Sequence, residues 1–258
     1  MKVVILCGGK GTRLREQTEF IPKPMVPIGH RPILWHIMKI YYHQGFNEFV
    51  LPLGYKGDVI KEYFAHYKWK TSNLTMEFGK DDQITFHDSK KCETWKIHFI
   101  DTGQESLTAK RISLLKYILK DDESFMLTYG DGVADIDLKK LVEFHKKNKR
   151  LVTITGFKPM HRFGIVEQKD GVVIKFKEKP QMNDIVNCGF MIFDKEALNY
   201  FTEDNTPLET DVLPRIAKDK QVGVYLHEGS WYYMDTQRDF EELNKIWETN
   251  PVWKIWKD

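Results

Sequence analysis

A short apolar run near the N-terminus changes abruptly into glycines. Residues Val3–Leu6 have the length and composition of a buried strand, and Gly8, Gly9 and Gly11 follow almost at once. In open α/β sheets, ligands bind beyond the carboxyl ends of the strands, where turns of this kind occur. The sequence therefore predicts an α/β fold with a ligand site after its first strand.

Beyond this strand, apolar runs of strand length alternate with segments of helical period, which favours parallel strands joined by crossover helices. Further strands are predicted at residues 49–53, 124–128 and 222–226. Helices are predicted at residues 33–42, 57–67, 138–147 and 208–218, with a last helix beginning near residue 236. Two stretches alternate in a strand-like way, and we expect antiparallel additions around a parallel centre there: residues 74–101 and 151–174.

The composition is that of an ordinary folded domain. Hydrophobic residues make up 41% of the chain and charged residues 29%, which is unlike a disordered protein. Lys and Arg together number 39 and Asp and Glu 37, so no long-range field favours nucleic acid or an anionic membrane. No repeat and no Pro/Gly/Ser-rich linker divides the 258 residues, which predicts a single domain.

The cysteines and the N-terminus indicate the compartment. Cys7, Cys92 and Cys188 are odd in number and lack C-x-x-C spacing, which argues against a disulfide framework and a thiolate zinc site. The N-terminal apolar run is too short for a signal-peptide core or a membrane span. We therefore expect a cytoplasmic protein whose partners include neither a membrane nor a nucleic acid.

The glycine loop itself is suited to phosphate. Its backbone N–H groups can approach phosphate oxygens closely, and Lys10 and Arg13 add positive charge. A Walker A loop is excluded because Lys10 is followed by Gly11 rather than Ser or Thr. The dinucleotide fingerprint, and with it a nicotinamide oxidoreductase, is disfavoured because Leu14 stands where a small residue is needed. A flexible strand-to-helix turn stays open as the plainer explanation.

Three further residues could bind a phosphate or a metal, although each has a plainer explanation. Lys23 lies between Pro22 and Pro24, which restrict the loop that presents it, but it could also be an exposed turn lysine. Asp131 follows the predicted third central strand and suits magnesium, although an Asp-Gly pair is also a good turn. Asp235 lies where the last helix begins, and the residues alone favour a helix cap there.

Together, two of these motifs resemble the signature of the sugar-1-phosphate nucleotidyltransferases: Gly8-Gly9-x-Gly11-Thr12-Arg13-Leu14 and Pro22-Lys23-Pro24-Met25. Further stretches extend the resemblance nearly end to end and are closest to the cytidylyl branch: residues 35–38, 54–57, 101–103, 129–135 and 253–256. The resemblance implies the Rossmann-like α/β nucleotide-diphospho-sugar transferase fold, a mixed, mostly parallel sheet flanked by helices with an inserted antiparallel sugar-binding lobe. It implies nucleotide binding mainly in residues 1–135, sugar binding mainly in 136–235 and a C-terminal helix in 236–258.

The resemblance also implies roles for individual residues. Arg13, Lys23 and Asp131 are the implied catalytic residues, and Asp131 and Asp235 the implied Mg²⁺ ligands. The implied nucleotide contacts are Leu6, Gly8, Gly9, Lys10, Gly11, Thr12, Arg13, Lys23, Gly103, Arg111, Thr128 and Gly130. The implied sugar-phosphate contacts are Glu178, Lys179, Asn187 and Gly189.

The implied reaction transfers a cytidylyl group from CTP to a sugar 1-phosphate, most closely α-D-glucose 1-phosphate, giving a CDP-sugar and pyrophosphate. It proceeds by direct in-line attack with Mg²⁺ and needs no protein nucleophile. UTP, dTTP or another sugar phosphate are the alternatives within the family, and a non-catalytic nucleotide-sensing module is the alternative outside it. Departures from the cytidylyl pattern at Cys188, Tyr232-Tyr233 and Ala109-Lys110 leave the sugar open. Because the family is oligomeric, we expect a homo-oligomer, by resemblance a hexamer.

Overall fold

The structure is a computed structural model that describes residues 1–79, 83–87, 93–161 and 163–257. Cys92 lies outside the described residues, as do small parts of the stretches 74–101 and 151–174. Within the described ranges, no helix is long and apolar enough to cross a membrane.

Short strands and helices alternate along the described chain. The strands are β1 (Val3–Leu6), β2 (Pro27–Ile28), β3 (Arg31–Pro32), β4 (Glu48–Leu53), β5 (Leu74–Glu77), β6 (Gln83–Phe86), β7 (Lys96–Asp101), β8 (Ser124–Tyr129), β9 (Gly132–Ala134), β10 (Val152–Phe157), β11 (Ile165–Lys169), β12 (Val172–Lys177), β13 (Val186–Asp194), β14 (Val222–Leu226) and β15 (Trp231–Tyr233). The α-helices are α1 (Arg15–Thr18), α2 (Ile33–His43), α3 (Gly57–Ala65), α4 (Tyr67–Thr71), α5 (Thr108–Ser113), α6 (Lys116–Leu119), α7 (Leu138–Asn148), α8 (Leu213–Lys218) and α9 (Gln237–Thr249).

A seven-stranded sheet in the order β14-β10-β13-β8-β1-β4-β7 forms the centre of the fold. Neighbouring strands are parallel except at β13, which runs antiparallel to both β10 and β8. Successive side chains of β1 enter different apolar clusters, Val3 and Ile5 on one face and Val4 and Leu6 on the other. The predicted mixed, mostly parallel sheet is therefore confirmed.

Two strands expected to be antiparallel additions belong to the central sheet instead. β7 pairs in parallel with β4 at the sheet edge, and β10 lies between β13 and β14. The expectation was wrong for β7 because an edge strand is only partly covered, so its sequence alternates instead of being continuously apolar. The antiparallel expectation holds for two separate hairpins, β5–β6 and β11–β12.

The last helix is shorter than the predicted segment 236–258. The Thr236 side chain caps α9 at its N-terminus, and the helix ends at Thr249. Pro251 follows closely, and a proline disfavours helical backbone at the residue before it. The chain then continues in turns, and Trp253 is fully buried in the cluster that also holds α2.

Strand pairing brings distant parts of the chain to one edge of the sheet. β1 and β8 are parallel with Leu6 opposite Tyr129, so the residues after both strands leave the sheet side by side. β15 pairs with β9, and the Met234 amide donates a hydrogen bond to the backbone oxygen of Asp131 at 2.9 Å. The first, middle and last parts of the chain therefore meet where β1 and β8 end.

Candidate active site

A cleft of about 440 Å³ opens at this edge of the sheet. The loop after β1 forms one part of its wall, and residues 106–108 together with Pro207 and Glu209 contribute to another. Many of the residues implied by the resemblance line it: Leu6, Gly8, Gly9, Gly11, Thr12, Arg13, Lys23, Arg111, Gly130, Asp131 and Asp235. The structure thus gathers residues from both ends of the chain in one cavity.

Lys23 lies between two carboxylates in this cleft. Its Nζ donates to Asp131 Oδ2 at 2.6 Å and to Asp235 Oδ1 at 2.8 Å. Arg13 forms an ion pair with the other oxygen of Asp235. The Lys23 side chain is only 13% exposed, whereas that of Arg13 is mostly exposed. The two carboxylates, distant in sequence, therefore converge on one cationic centre.

Contacts within this cluster keep Lys23 and Asp235 charged. Burial alone lowers the pKa of the Lys23 ammonium, but Asp131 and Asp235 outweigh burial and raise that pKa above its ordinary value. Burial raises the pKa of Asp235, but the hydrogen bonds from Lys23 and Arg13 outweigh it and hold the pKa below its ordinary value. At neutral pH the cluster therefore contains an ammonium, a guanidinium and an ionised Asp235.

The backbone that presents Lys23 is restricted on both sides. Pro22 has a φ of −70°, and Pro24 lies within a single 3₁₀ turn that begins at Lys23. Pro24 also packs against Gly130, where an added Cβ would lie 2.9 Å from Pro24 Cγ. The two prolines and this close approach fix the lysine beside the end of β8.

Arg111 is buried beside the glycine loop and fixes its shape. Its guanidinium donates to the carbonyl oxygens of Gly8, Leu53 and Gly103 at 2.8, 3.0 and 2.9 Å, and to the Thr102 hydroxyl at 2.6 Å. The residue is 3% exposed, and burial lowers the pKa of its guanidinium. Arg111 lines the cleft, and these hydrogen bonds indicate that its main role is to hold the glycine loop in place.

Replacing Gly8 by alanine is expected to destabilise the free protein. The added Cβ would lie 2.2 Å from the guanidinium carbon of Arg111. Such overpacking costs about 1–3 kcal/mol, which lowers Tm by roughly 2–10 °C in a chain of this size. Gly9→Ala is the matched control, because no described atom lies within 4 Å of a Cβ at Gly9. Thermal denaturation with equal midpoints for the two variants would contradict this packing.

Three implied nucleotide contacts lie outside the cleft lining. Lys10 donates to Glu105 at 2.7 Å in an exposed ion pair. Gly103 has a φ of +82°, in the left-handed region that favours glycine, and it shapes the turn after β7. Thr128 is 1% exposed, because neighbouring side chains of a strand point to opposite faces and Tyr129 takes the cleft side. The structure therefore does not bring the Thr128 side chain into the cleft.

The implied sugar-phosphate contacts fall into two groups. Glu178 and Lys179 follow β12 with side chains 64% and 59% exposed, and they are not among the described residues that line the cleft. Asn187 accepts a hydrogen bond from the Gly189 amide at 3.0 Å. Gly189 packs on Tyr129 so closely that a Cβ would lie 2.6 Å from its ring. Gly189 and its partner Asn187 therefore lie beside Tyr129, which lines the cleft, whereas Glu178 and Lys179 lie outside the cleft lining.

Cys188, the departure expected to reshape the sugar pocket, points into the core. It is 3% exposed and belongs to the same apolar cluster as Phe190 and Ile192. Burial raises the pKa of its thiol to about 12, so the thiol is neutral at physiological pH. Its side chain therefore packs in the core and is not among the described residues that line the cleft.

Several residues that line the cleft were not among the site residues predicted from the sequence: Cys7, Pro24, Tyr129, Pro207 and Glu209. The Glu209 carboxylate accepts hydrogen bonds from the Tyr129 phenol at 2.5 Å and from the Thr108 hydroxyl at 3.0 Å. No motif marks Glu209, because its place depends on contacts between segments that are far apart in the chain. The adjacent Leu208 amide makes one of them, donating to Thr108 Oγ1 at 2.7 Å.

Asp131 and Asp235 suit a divalent cation. Both carboxylates lie within 2.8 Å of Lys23 Nζ, so a positive charge already occupies the point between them. Mg²⁺ prefers carboxylate oxygens and commonly takes one or two of them together with substrate phosphate oxygens. The described residues hold no group of three or more His, Cys, Asp or Glu side chains placed for a metal. The pair therefore fits Mg²⁺ with substrate oxygens as its remaining ligands.

Comparison with known proteins identifies the family to which this fold and site belong. A family model described as nucleotidyl transferase matches residues 2–250. The chain belongs to the nucleotidyl transferase family. The resemblance inferred from the glycine loop and the Pro-Lys-Pro segment is thereby confirmed, and this nucleotidyltransferase is an enzyme rather than a dinucleotide-binding oxidoreductase.

Relatives cover the nucleotidyltransferase along its whole length. The probable glucose-1-phosphate cytidylyltransferase of Bacillus subtilis (strain 168) is 45% identical over 258 residues, which cover 99% of this chain and 100% of the relative. The glucose-1-phosphate cytidylyltransferase of Salmonella typhimurium is 41% identical over 259 residues and covers 100% of both chains. The crystal structure of HddC from Yersinia pseudotuberculosis shares the fold, with a TM-score of 0.68, 24% identity and coverage of 95% of this chain and 99% of that one.

Proposed function

We propose that this nucleotidyltransferase transfers the cytidylyl group of CTP to α-D-glucose 1-phosphate, giving CDP-glucose and pyrophosphate. The observation that carries the proposal is the convergence of Arg13, Lys23, Asp131 and Asp235 beside the glycine loop. The choice of CTP and glucose 1-phosphate follows the names of the full-length relatives at 41% and 45% identity.

The transfer is a single displacement at phosphorus. An oxygen of the sugar phosphate forms a bond to the α-phosphorus of CTP while the bond from that phosphorus to the bridging oxygen of the β-phosphate breaks. Pyrophosphate leaves with the electron pair. Arg13 and Lys23 offset the negative charge of the triphosphate and of the leaving group, and fixed cations of this kind are worth most where they are already in place. No covalent enzyme intermediate is required.

Asp131 and Asp235 are the proposed ligands of Mg²⁺. When bound, Mg²⁺ supplies charge neutralisation at the phosphate oxygens. In the structure, Lys23 and Arg13 pair with these two carboxylates. We therefore propose an exchange of partners, in which Lys23 and Arg13 turn from the carboxylates to the phosphate oxygens of a bound triphosphate, and Asp131 and Asp235 would then be available to hold Mg²⁺.

The sugar end is proposed on the resemblance and on the contacts around Tyr129. Asn187 and Gly189 border the cleft through that ring, and Lys179 and Glu178 would reach the sugar phosphate and a sugar hydroxyl from the lobe after β12. We propose that residues 1–135 mainly bind the nucleotide and that residues 136–235 mainly bind the sugar.

We also propose that the enzyme is a cytoplasmic homo-oligomer, a hexamer by resemblance. The hairpin β11–β12 supports an assembly, because Val166, Val172, Ile174 and Phe176 are 53%, 64%, 63% and 62% exposed on it. A two-stranded hairpin with apolar side chains in water is marginally stable by itself, and contact with another subunit would cover it. Sedimentation velocity measures the assembly directly, and a monomer at micromolar concentration would contradict it.

A pairwise substrate panel tests the proposed reaction. CTP, UTP and dTTP are each combined with several hexose 1-phosphates, and pyrophosphate release is followed. We expect the highest kcat/KM for CTP with α-D-glucose 1-phosphate. A higher value with UTP, dTTP or another sugar would replace the substrate assignment while keeping the family chemistry. Tight CTP binding without pyrophosphate release from any pair would instead establish a nucleotide-sensing protein.

A further inference from the structure

One carboxylate of the cleft has no part in the reaction as described. Glu209 lines the same cavity as Lys23 and Asp131. In the proposed function, this cavity receives two polyanionic substrates. A carboxylate repels phosphate, so its presence there calls for a different substrate group. Hydroxyl groups are the neutral hydrogen-bond donors that a nucleoside triphosphate and a hexose phosphate have in common.

Two side chains fix the orientation of Glu209. The Tyr129 phenol donates to Oε1 at 2.5 Å and the Thr108 hydroxyl to Oε2 at 3.0 Å. A phenol is a hydrogen-bond donor, so Tyr129 holds one oxygen of the carboxylate in place. An ionised carboxylate offers about four acceptor positions, so each oxygen can accept a further hydrogen bond from a ligand.

Hydrogen bonds donated by backbone amides tie together the wall that carries Glu209. The Leu107 amide donates to Asn205 Oδ1 at 2.7 Å, and the Ala109 amide donates to the Thr206 carbonyl at 3.1 Å. These bonds join the start of α5 and the residue before it to the segment before Glu209. The carboxylate is therefore held by the fold and differs from a freely rotating surface side chain.

We propose that Glu209 is a specificity-determining residue that accepts hydrogen bonds from a vicinal diol of a substrate. Two carboxylate oxygens can accept from hydroxyls on adjacent carbons, and the Tyr129 and Thr108 donors hold the plane of the carboxylate for them. The ribose of the nucleotide and the hexose ring both carry such a diol. The inference rests on the proposed function, because that function supplies the nucleotide and the hexose phosphate as the substrates that carry these rings.

The decisive variant is Glu209→Gln, because glutamine keeps the shape but replaces one acceptor oxygen by a donor. Glu203→Gln is the matched control, since Glu203 lies before the same wall, is exposed and pairs with Lys110. With the wild type, replacing the recognised hydroxyl of the substrate by hydrogen should lower kcat/KM by about 10- to 100-fold. In Glu209→Gln this ratio should fall towards one, while Glu203→Gln should keep the wild-type ratio.

Two arms of the experiment distinguish the rings. One compares the triphosphate with its 2′-deoxy and 3′-deoxy forms, and the other compares the hexose 1-phosphate with its singly deoxygenated forms, using the substrate pair that is most active. Loss of discrimination in one arm supports the proposal and names the ring. Unchanged discrimination in both arms for Glu209→Gln overturns it.

A second variant guards against a folding defect. Tyr129→Phe removes the phenol that orients Glu209 and leaves the carboxylate in place, so it should reduce the same discrimination in part. If Glu209→Gln has a lowered thermal transition, the test is made on Tyr129→Phe instead. Wild-type discrimination against the deoxy substrates in Tyr129→Phe would then overturn the proposal. If the wild type releases no pyrophosphate, the proposed function fails, and calorimetric binding of CTP against its deoxy forms then tests Glu209 independently.

Discussion

Replacing Lys23 by methionine is expected to lower kcat by about a hundred- to a thousandfold, the usual effect of removing one preorganised charge-stabilising donor. Lys23 is the less exposed cation of the cluster and the residue on which both carboxylates converge. Methionine keeps most of the aliphatic length, and Arg13 still pairs with Asp235, so we expect Tm to change little. Lys218→Met, at an exposed position of α8, is the control and should retain wild-type turnover.

The same variant tests the proposed exchange of partners. In the wild type, Lys23 and Arg13 neutralise the carboxylates, so Mn²⁺ used as a spectroscopic substitute for Mg²⁺ should bind weakly without nucleotide. Removing the Lys23 ammonium should strengthen Mn²⁺ binding by about tenfold, because an opposing charge within hydrogen-bonding distance is lost. Electron paramagnetic resonance of free Mn²⁺ measures this gain. Equal affinity in both proteins, together with normal turnover, would remove Lys23 from the mechanism.

Asp131→Asn is expected to have an effect at least as large, on the order of a thousandfold in kcat. The substitution keeps the shape of the side chain but removes the charge that a divalent cation needs. It also leaves the Lys23 ammonium paired with Asp235 alone, so Lys23 should remain beside that carboxylate when the triphosphate enters. Two separate functions are therefore weakened by one change.

Metal binding separates these two functions. Asp131→Asn should lose Mn²⁺ binding in the presence of CTP, whereas Lys23→Met should not. Asp121→Asn, at an exposed position before β8, serves as the control for the loss of one negative charge. Wild-type turnover and Mn²⁺ affinity in Asp131→Asn would show that the carboxylate is only a turn residue, the plainer explanation of its Asp-Gly pair.

Much of the fold and part of the site could be predicted from local patterns. β1 and β14 were predicted with their observed bounds, and β8 was one residue short. β1 and β8 are central strands, and such buried strands give continuous apolar runs. The glycine loop and Lys23 were found because glycines and prolines restrict the backbone in ways that are visible in sequence. The edge strand β7 was misjudged, since partial exposure gives it the alternating pattern of an antiparallel strand.

Other parts of the site depend on contacts that no local pattern contains. The residues alone favoured Asp235 as a helix cap, but Thr236 caps α9, and the pairing of β15 with β9 brings Asp235 to Lys23. Glu209 was not singled out, because its position follows from hydrogen bonds to Tyr129 and Thr108 across a long stretch of chain. Such contacts are decided by tertiary packing.

Incubation with CTP labelled at the α-phosphorus tests the central claim, direct cytidylyl transfer to a sugar phosphate, most directly. In the presence of α-D-glucose 1-phosphate, the label should move into CDP-glucose, with one unlabelled pyrophosphate released for each molecule formed and no label on the protein. Label that stays in CTP, or that becomes covalently attached to the enzyme, would contradict the account.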